Sequence, residues 1–269
     1  MLFQYASDLH LEFPKNKKLL IRKPLEVAAE ILILAGDVMP FNTIDEHNDF
    51  WNYISDNFKQ TYWLPGNHEY YGFDAATKQG SFTENIKSNI TLINNDSVII
   101  DNTQFVFSTL WSHIGFVNQF IIQKRMNDFY QINFDGAPIT PIEYNLLHDE
   151  AVAFLKQILL KDFLNSNNKE ENSKSGVNIN SMKKVVVTHH LPTLLNYPNK
   201  YKNDPIQEGF ATELYDLIEA ANATCWIYGH HHYNTPGFSI GNTQIITNQL
   251  GYVQYHEHGG FKRDAIFEI

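Results

Sequence analysis

Tyr62-Trp63-Leu64-Pro65-Gly66-Asn67-His68-Glu69 decides the fold. A bulky apolar run stops at Pro-Gly, and an amide, an imidazole and a carboxylate follow at once. Such a run reads as a strand that ends at the mouth of a sheet, with its polar groups aimed at a ligand. Four other short segments repeat the pattern of an apolar strand followed by His, Asp or Asn. They are Ser7-Asp8-Leu9-His10, Gly36-Asp37, Thr188-His189-His190 and Gly229-His230-His231-His232. The run Ile31-Leu32-Ile33-Leu34-Ala35 before Gly36 reads as a strand buried on both faces. Alternation places Asp8 and His10 on one side of an extended backbone. The five segments are expected to converge on one site that holds two metal ions.

The residue types suit that chemistry. A carboxylate has about four acceptor positions on two oxygens, so an Asp can bridge two cations. Asp37 is the natural bridge, because Gly36 has no side chain to block close approach of the backbone. Imidazole with carboxylate suits Mn, Fe or Zn. The set lacks thiolate, which argues against a closed structural zinc site. Asn67 is a neutral oxygen donor and keeps the site positive enough for an anionic substrate. Coordination lowers the pKa of water from about 15.7 toward about 7, and two ions roughly 3.5–4 Å apart can clamp attacking and leaving oxygens. That arrangement suits in-line attack on phosphorus by a metal-bound hydroxide. His68, beside Asn67, can lie just outside the metals and hydrogen-bond the phosphoryl group or protonate the leaving oxygen.

Composition sets outer bounds. The chain has 269 residues, 43% of them hydrophobic and 14% aromatic, enough for one large α/β domain. A net charge of -10 argues against a nucleic-acid surface. The single cysteine, Cys225, excludes an internal disulfide and fits a reducing compartment. Met1-Leu2-Phe3-Gln4-Tyr5-Ala6 lacks the basic region of a signal peptide, and no apolar stretch is long enough to span a bilayer. A cytoplasmic protein with no membrane association is expected; the sequence is silent on oligomeric state.

Between the motifs, Lys15, Lys17, Lys18, Arg22 and Lys23 read as a solvated loop or as a phosphate patch. Thr43-Ile44-Asp45-Glu46 has capping-box spacing, with helical periodicity to Phe58. The stretch after Gly72 to about Asn89 reads as weakly helical, and the alternating stretches from Thr91 to Leu110 read as strands. An excursion at about 111–141 crosses the site, with a helix around Phe120 to Phe129. Thr140-Pro141-Ile142-Glu143 opens a helix expected to reach about Leu164. A mobile loop is expected at about 165–181. Thr212 is a candidate cap for a helix that carries Leu214, Leu217 and Ile218.

In order, the motifs stand as D-x-H at Asp8-Leu9-His10, G-D at Gly36-Asp37, G-N-H-E at Gly66 to Glu69, a strand-end His at His189, and G-H-x-H at Gly229 to His232. In this they resemble the calcineurin-like metallophosphoesterase family, and they span most of the chain. The resemblance implies a four-layer sandwich of two mixed β-sheets flanked by helices, as a single domain over 1–269. It implies that Asp8, His10 and His232 hold one metal and that Asn67, His189 and His230 hold the other. Asp37 would bridge them, and His68 would act as the non-ligand catalytic histidine. It selects His189 over His190. Thr109-Leu110-Trp111 with Met126-Asn127-Asp128-Phe129 resembles a bacterial subgroup of predicted phosphohydrolases. The implied activity is hydrolysis of a small-molecule phosphomonoester or phosphodiester. A non-catalytic interaction scaffold on the same fold is the alternative.

Structural roles account for His47, His113, His148, His256 and His258, with His256-Glu257-His258 a weak extra ligand set. Tyr70, Tyr71, Trp111 and Tyr130 fit a pocket lining and a core equally well.

Overall fold

Ile31–Ala35 is a strand whose side chains alternate between two packed layers. Leu32 and Leu34 join one core cluster, while Ile33 and Ala35 join another. The computed structural model in which this is seen describes residues 1–160 and 182–269. The strand lies in a six-stranded sheet ordered Ile266–Glu268, Leu2–Ala6, Ile31–Ala35, Gln60–Leu64, Ile90–Asn94, Phe82–Lys87. Its four inner strands are parallel and its two edge strands antiparallel. A second six-stranded sheet is built the same way: Phe238–Ile240, Thr243–Thr247, Cys225–Tyr228, Lys183–Thr188, Thr103–Ser108, Asp96–Ile100.

The sheets face each other across Phe3, Ile33, Leu64, Phe105, Phe107, Val185, Val187 and Ile227, all at most 1% exposed. On the outer side of the first sheet, Trp51 and Ile54 of helix Asn48–Asn57 pack with Leu32, Leu34 and Trp63. On the outer side of the second, Leu155 and Leu159 of helix Pro141–Leu159 and Ile218 of helix Tyr215–Ala221 pack with Val106, Val186 and Trp226. The result is the expected four-layer sandwich. Both sheets place the carboxyl ends of parallel strands at one rim, and the polar motifs follow those ends.

Local departures from expectation have physical causes. Thr140 does form the capping box, its hydroxyl and the Glu143 carboxylate satisfying each other's backbone N–H groups. Thr43 does not. A 3-10 turn occupies Phe41–His47, and the Thr43 hydroxyl donates to Pro40 O at 2.9 Å. Phe41 is held there by Tyr70 and Trp63, at ring distances of 5.0 and 6.0 Å, so tertiary packing overrides the local signal. Thr212 does not cap its helix either; its hydroxyl oxygen accepts from His113 N at 2.8 Å. The stretch after Tyr71 is extended, with strands Phe73–Asp74 and Phe82–Lys87. Lys15 to Arg22 lie in helix Pro14–Arg22, which buries Asn16 and Leu20.

In the excursion, one expected helix is two, Gln119–Arg125 and Asp128–Gln131, followed by strands Ile132–Phe134 and Ala137–Pro138. The expected helix end near Leu164 and the loop at about 165–181 lie outside the described residues. Among the described residues, no helix is long and apolar enough to cross a membrane.

Stability should follow burial. Phe107→Ala, between the sheets, should cost about 3–5 kcal/mol, whereas Thr140→Ala should cost about 1 kcal/mol. Urea unfolding measures both, and equal costs would contradict this layering.

Candidate metal centre

Five loops meet at the rim, and their backbones are unusual. Asp8 (φ 55°), His10 (φ 49°), Asp37 (φ 54°), His230 (φ 80°) and His232 (φ 57°) all occupy the left-handed region. Each such non-glycine residue costs on the order of 1–3 kcal/mol and persists only where its surroundings over-determine it. Here they do. The N–H groups of Asp8, His10 and Leu11 donate to the carbonyls of Gly36, Asp37 and Val38, at 2.9–3.0 Å. The buried Glu69 carboxylate accepts from the N–H groups of Asp37 (2.9 Å), Val38 (2.7 Å) and Gly66 (2.6 Å) and from Trp63 Nε1 (3.1 Å). The His68 and His230 N–H groups donate to the Asp37 and Asp8 carboxylates, each at 2.9 Å. Gly66 is obligatory by crowding: a Cβ there would strike Asp37 Oδ1 and come within 2.6 Å of His189 Nε2.

Two groups of donors result. Asp8, His10, Asp37 and His232 place ligand atoms within 4.8 Å of one another, as do Asp37, His189 and His230, so Asp37 is common to both. Asn67 joins the second group, its Oδ1 lying 3.1 Å from His189 Nε2.

The donors fit cations. His10 Nδ1–H donates to Glu12 Oε1 (3.0 Å) and His232 Nδ1–H to Glu257 Oε2 (2.7 Å). Their Nε2 atoms then face each other at 2.9 Å, and His232 Nε2 lies 3.3 Å from Asp8 Oδ1. His189 Nδ1–H donates to Ala35 O (2.9 Å), which leaves Nε2 facing Asp37 Oδ1 at 3.3 Å. His230 Nε2–H points at Gly209 O (3.4 Å), which frees Nδ1. Lone pairs so arranged repel unless a proton or a metal ion sits among them; carboxylate or carbonyl on the far nitrogen is the usual support of a ligand histidine.

Titration agrees. Burial resists charging these rings, but Asp8 and Glu257 push His232 up to about 10, and Asp37 pushes His189 up to about 9. Burial also resists the Asp37 charge, yet His189 and His68 hold its pKa well below the usual range. The carboxylates thus favour positive charge at His189 and His232, where donor atoms converge.

Calcineurin-like phosphoesterase proteins match this chain over residues 3–234. The chain belongs to that family. It is also similar to the uncharacterized protein L509 of Acanthamoeba polyphaga mimivirus, 28% identical over 295 residues, covering 100% of this chain and 96% of that one. A phosphopantetheinyl hydrolase from Mycobacterium tuberculosis shares the fold at a TM-score of 0.64 and 16% identity, over 97% of this chain and 93% of that one. A dimetal phosphatase from Danio rerio aligns at a TM-score of 0.48 and 13% identity, covering 93% and 87%.

In this calcineurin-like phosphoesterase, sequence reasoning missed the groups behind the motif residues. Glu12, two residues after His10, takes both His10 and His68 (2.9 Å) on one oxygen; its other oxygen is buried without a partner. Asp128 accepts from Asn67 Nδ2 (3.0 Å) and Tyr71 OH (2.8 Å), which turns the Asn67 oxygen inward. Glu257 serves His232 rather than forming a ligand set with His256 and His258. Only the nearness of Glu12 to D-x-H was visible in sequence; Asp128 and Glu257 come from distant segments.

His190 faces away, with Nε2 accepting from Tyr144 OH (2.9 Å) and Nδ1 toward Thr109 O (3.3 Å). His231 contacts Gln249. Among the aromatics, Tyr70 and Trp111 are core, Tyr130 is exposed, and Tyr71 stacks on His68 at 4.0 Å.

Metal binding should displace the His189 and His232 protons, so affinity should rise with pH through about 9 and level off only above about 10. Calorimetry in buffers of different ionisation enthalpy should register proton release; a pH-independent affinity would contradict it. Gly66→Ala should fold but retain at least about tenfold less metal by elemental analysis.

Proposed function

We propose that this protein hydrolyses a small-molecule phosphomonoester or phosphodiester with two divalent or transition metal ions, Mn, Fe or Zn. Asp8, His10 and His232 would hold one ion and Asn67, His189 and His230 the other, with Asp37 shared. The observation that carries the reading is the convergence of otherwise repelling lone pairs on both sides of one buried carboxylate, Asp37. When bound, the ions would supply a water of lowered pKa and neutralise charge on the phosphoryl oxygens.

The chain's own groups do the rest. His68 lines the cavity at the centre, with Nδ1 on Glu12 Oε1 and Nε2 3.1 Å from Tyr252 OH. Burial disfavours its charged form, but Asp37, Glu12 and Asp128 outweigh burial and raise its pKa. A protonated His68 can give a proton to the leaving oxygen, after steadying the phosphoryl group.

The cap-like excursion supports a small substrate. Arg125, Met126, Asn127 and Asp128 wall one side of a cavity of about 320 Å³ that reaches Asp37, Asn67, His68, His230 and His232. A non-catalytic scaffold would not need donors at all seven expected ligand positions.

Asp37→Asn should lower hydrolysis of 4-nitrophenyl phosphate and bis(4-nitrophenyl) phosphate by about two orders of magnitude or more. Unchanged turnover would sink the proposal. His68→Asn should keep its metal while kcat falls about 10²–10⁴-fold.

A further inference from the structure

The cavity extends beyond the metal centre, and its outer part has a chemistry of its own. Tyr201 and Tyr233 line it, half-buried, with ring centroids 5.9 Å apart and planes at 83°. Tyr197 lies behind them, largely buried and 6.1 Å from the His231 ring. Two perpendicular rings at that spacing offer one face and one edge to a third ring. An aliphatic chain gains only burial from such walls.

The charged side chains lining this part of the cavity are engaged with one another. Arg125, the one lysine or arginine among the lining residues, is bidentate to Asp204 at 2.6 and 2.9 Å. Lys200 lies 4.9 Å from the Tyr201 ring centroid. Glu257 is engaged by His232, and Asp128 by Asn67 and Tyr71. Among the described lining residues every carboxylate is engaged, so none is left to receive an amine, while Lys200 keeps its charge over the Tyr201 ring.

We propose that the outer cavity is a subsite for a flat aromatic or heteroaromatic group of the substrate, gripped by Tyr201 and Tyr233. The substrate is then a phosphoester that carries a ring, and these tyrosines set its specificity. This rests on the reading of the metal centre as a phosphoester site. Tyr201 packs on Tyr233 and Lys200, and Tyr233 on His231, so their removal, with metal content checked because Tyr233 follows His232, tests the subsite separately from the metals.

The test compares three non-hydrolysable probes on Mn²⁺-loaded protein by calorimetry: methylphosphonate, cyclohexylphosphonate and phenylphosphonate. Cyclohexyl matches phenyl in bulk but is not flat. Wild type should bind phenylphosphonate at least about tenfold more tightly than methylphosphonate, the scale of one ring–ring contact, and more tightly than cyclohexylphosphonate. In the Tyr201→Ala/Tyr233→Ala double variant, with metal content and near-UV circular dichroism retained, the phenyl-to-methyl ratio should fall to within about twofold of unity.

A wild-type ratio near one overturns the proposal, as does a preference for cyclohexyl or a ratio that survives in the double variant. If those results come with hydrolysis of generic phosphoesters, the subsite alone fails. If no probe binds and no phosphoester is turned over, both readings fall.

Discussion

Asp37 is 1% exposed, and imidazole nitrogens stand on both sides of it. A carboxylate in that setting would be expensive to bury without positive charge beside it. The rest of the rim can be read as the consequence. The His189 ring and the His68 N–H face one of its oxygens, and the His10 ring faces the other at 3.7 Å. Removing positive charge from this point would leave Asp8, Asp37 and Glu69 as mutually repelling buried acids. Burial and Asp37 already push Glu69 up to about 8, even though four N–H groups favour its carboxylate form.

Holding charge there costs backbone strain and polar burial, and the scaffold offsets both. Five motif residues sit at positive φ on loops, yet each loop leaves a parallel strand clamped in a sheet. The inter-sheet layer of Phe3, Phe105, Phe107 and their neighbours fixes the strands, so the loops have little freedom to relax. Loop-to-loop hydrogen bonds then decide register at the rim. Glu69 links the loop after Ala35 to the loop after Leu64, and Asp8 links the first loop to the loop after Tyr228.

What was legible in the sequence was whatever strand periodicity and local spacing express. The Ile31–Ala35 run, the strand ends and the Thr140 box depend on neighbours in the chain, and these features appear in the structure. The Thr43 box failed because Phe41 is committed to Tyr70 and Trp63, a tertiary demand with no local signature. Asp128 and Glu257 were invisible as supports for the same reason: they reach Asn67 and His232 from segments 61 and 25 residues away. A supporting carboxylate has no fixed spacing to the group it serves, so no motif can announce it.

The rings around the site divide into two kinds, and the division bears on how the centre combines rigidity with selectivity. Tyr71 stacks on His68 at 4.0 Å, Phe210 lies 4.6 Å from His230, and Tyr252 lies 4.3 Å from His232. These rings press on the motif histidines and line the cavity at once, so substituting one would change both the centre and its access. Tyr201 and Tyr233 line the same cavity but pack on each other, and Tyr233 on His231, which faces Gln249. Substituting the outer pair therefore leaves in place the rings that pack on His68, His230 and His232, whereas substituting any of the inner three does not. If the outer pair grips the substrate as proposed, selectivity and metal chemistry fall to different sets of rings.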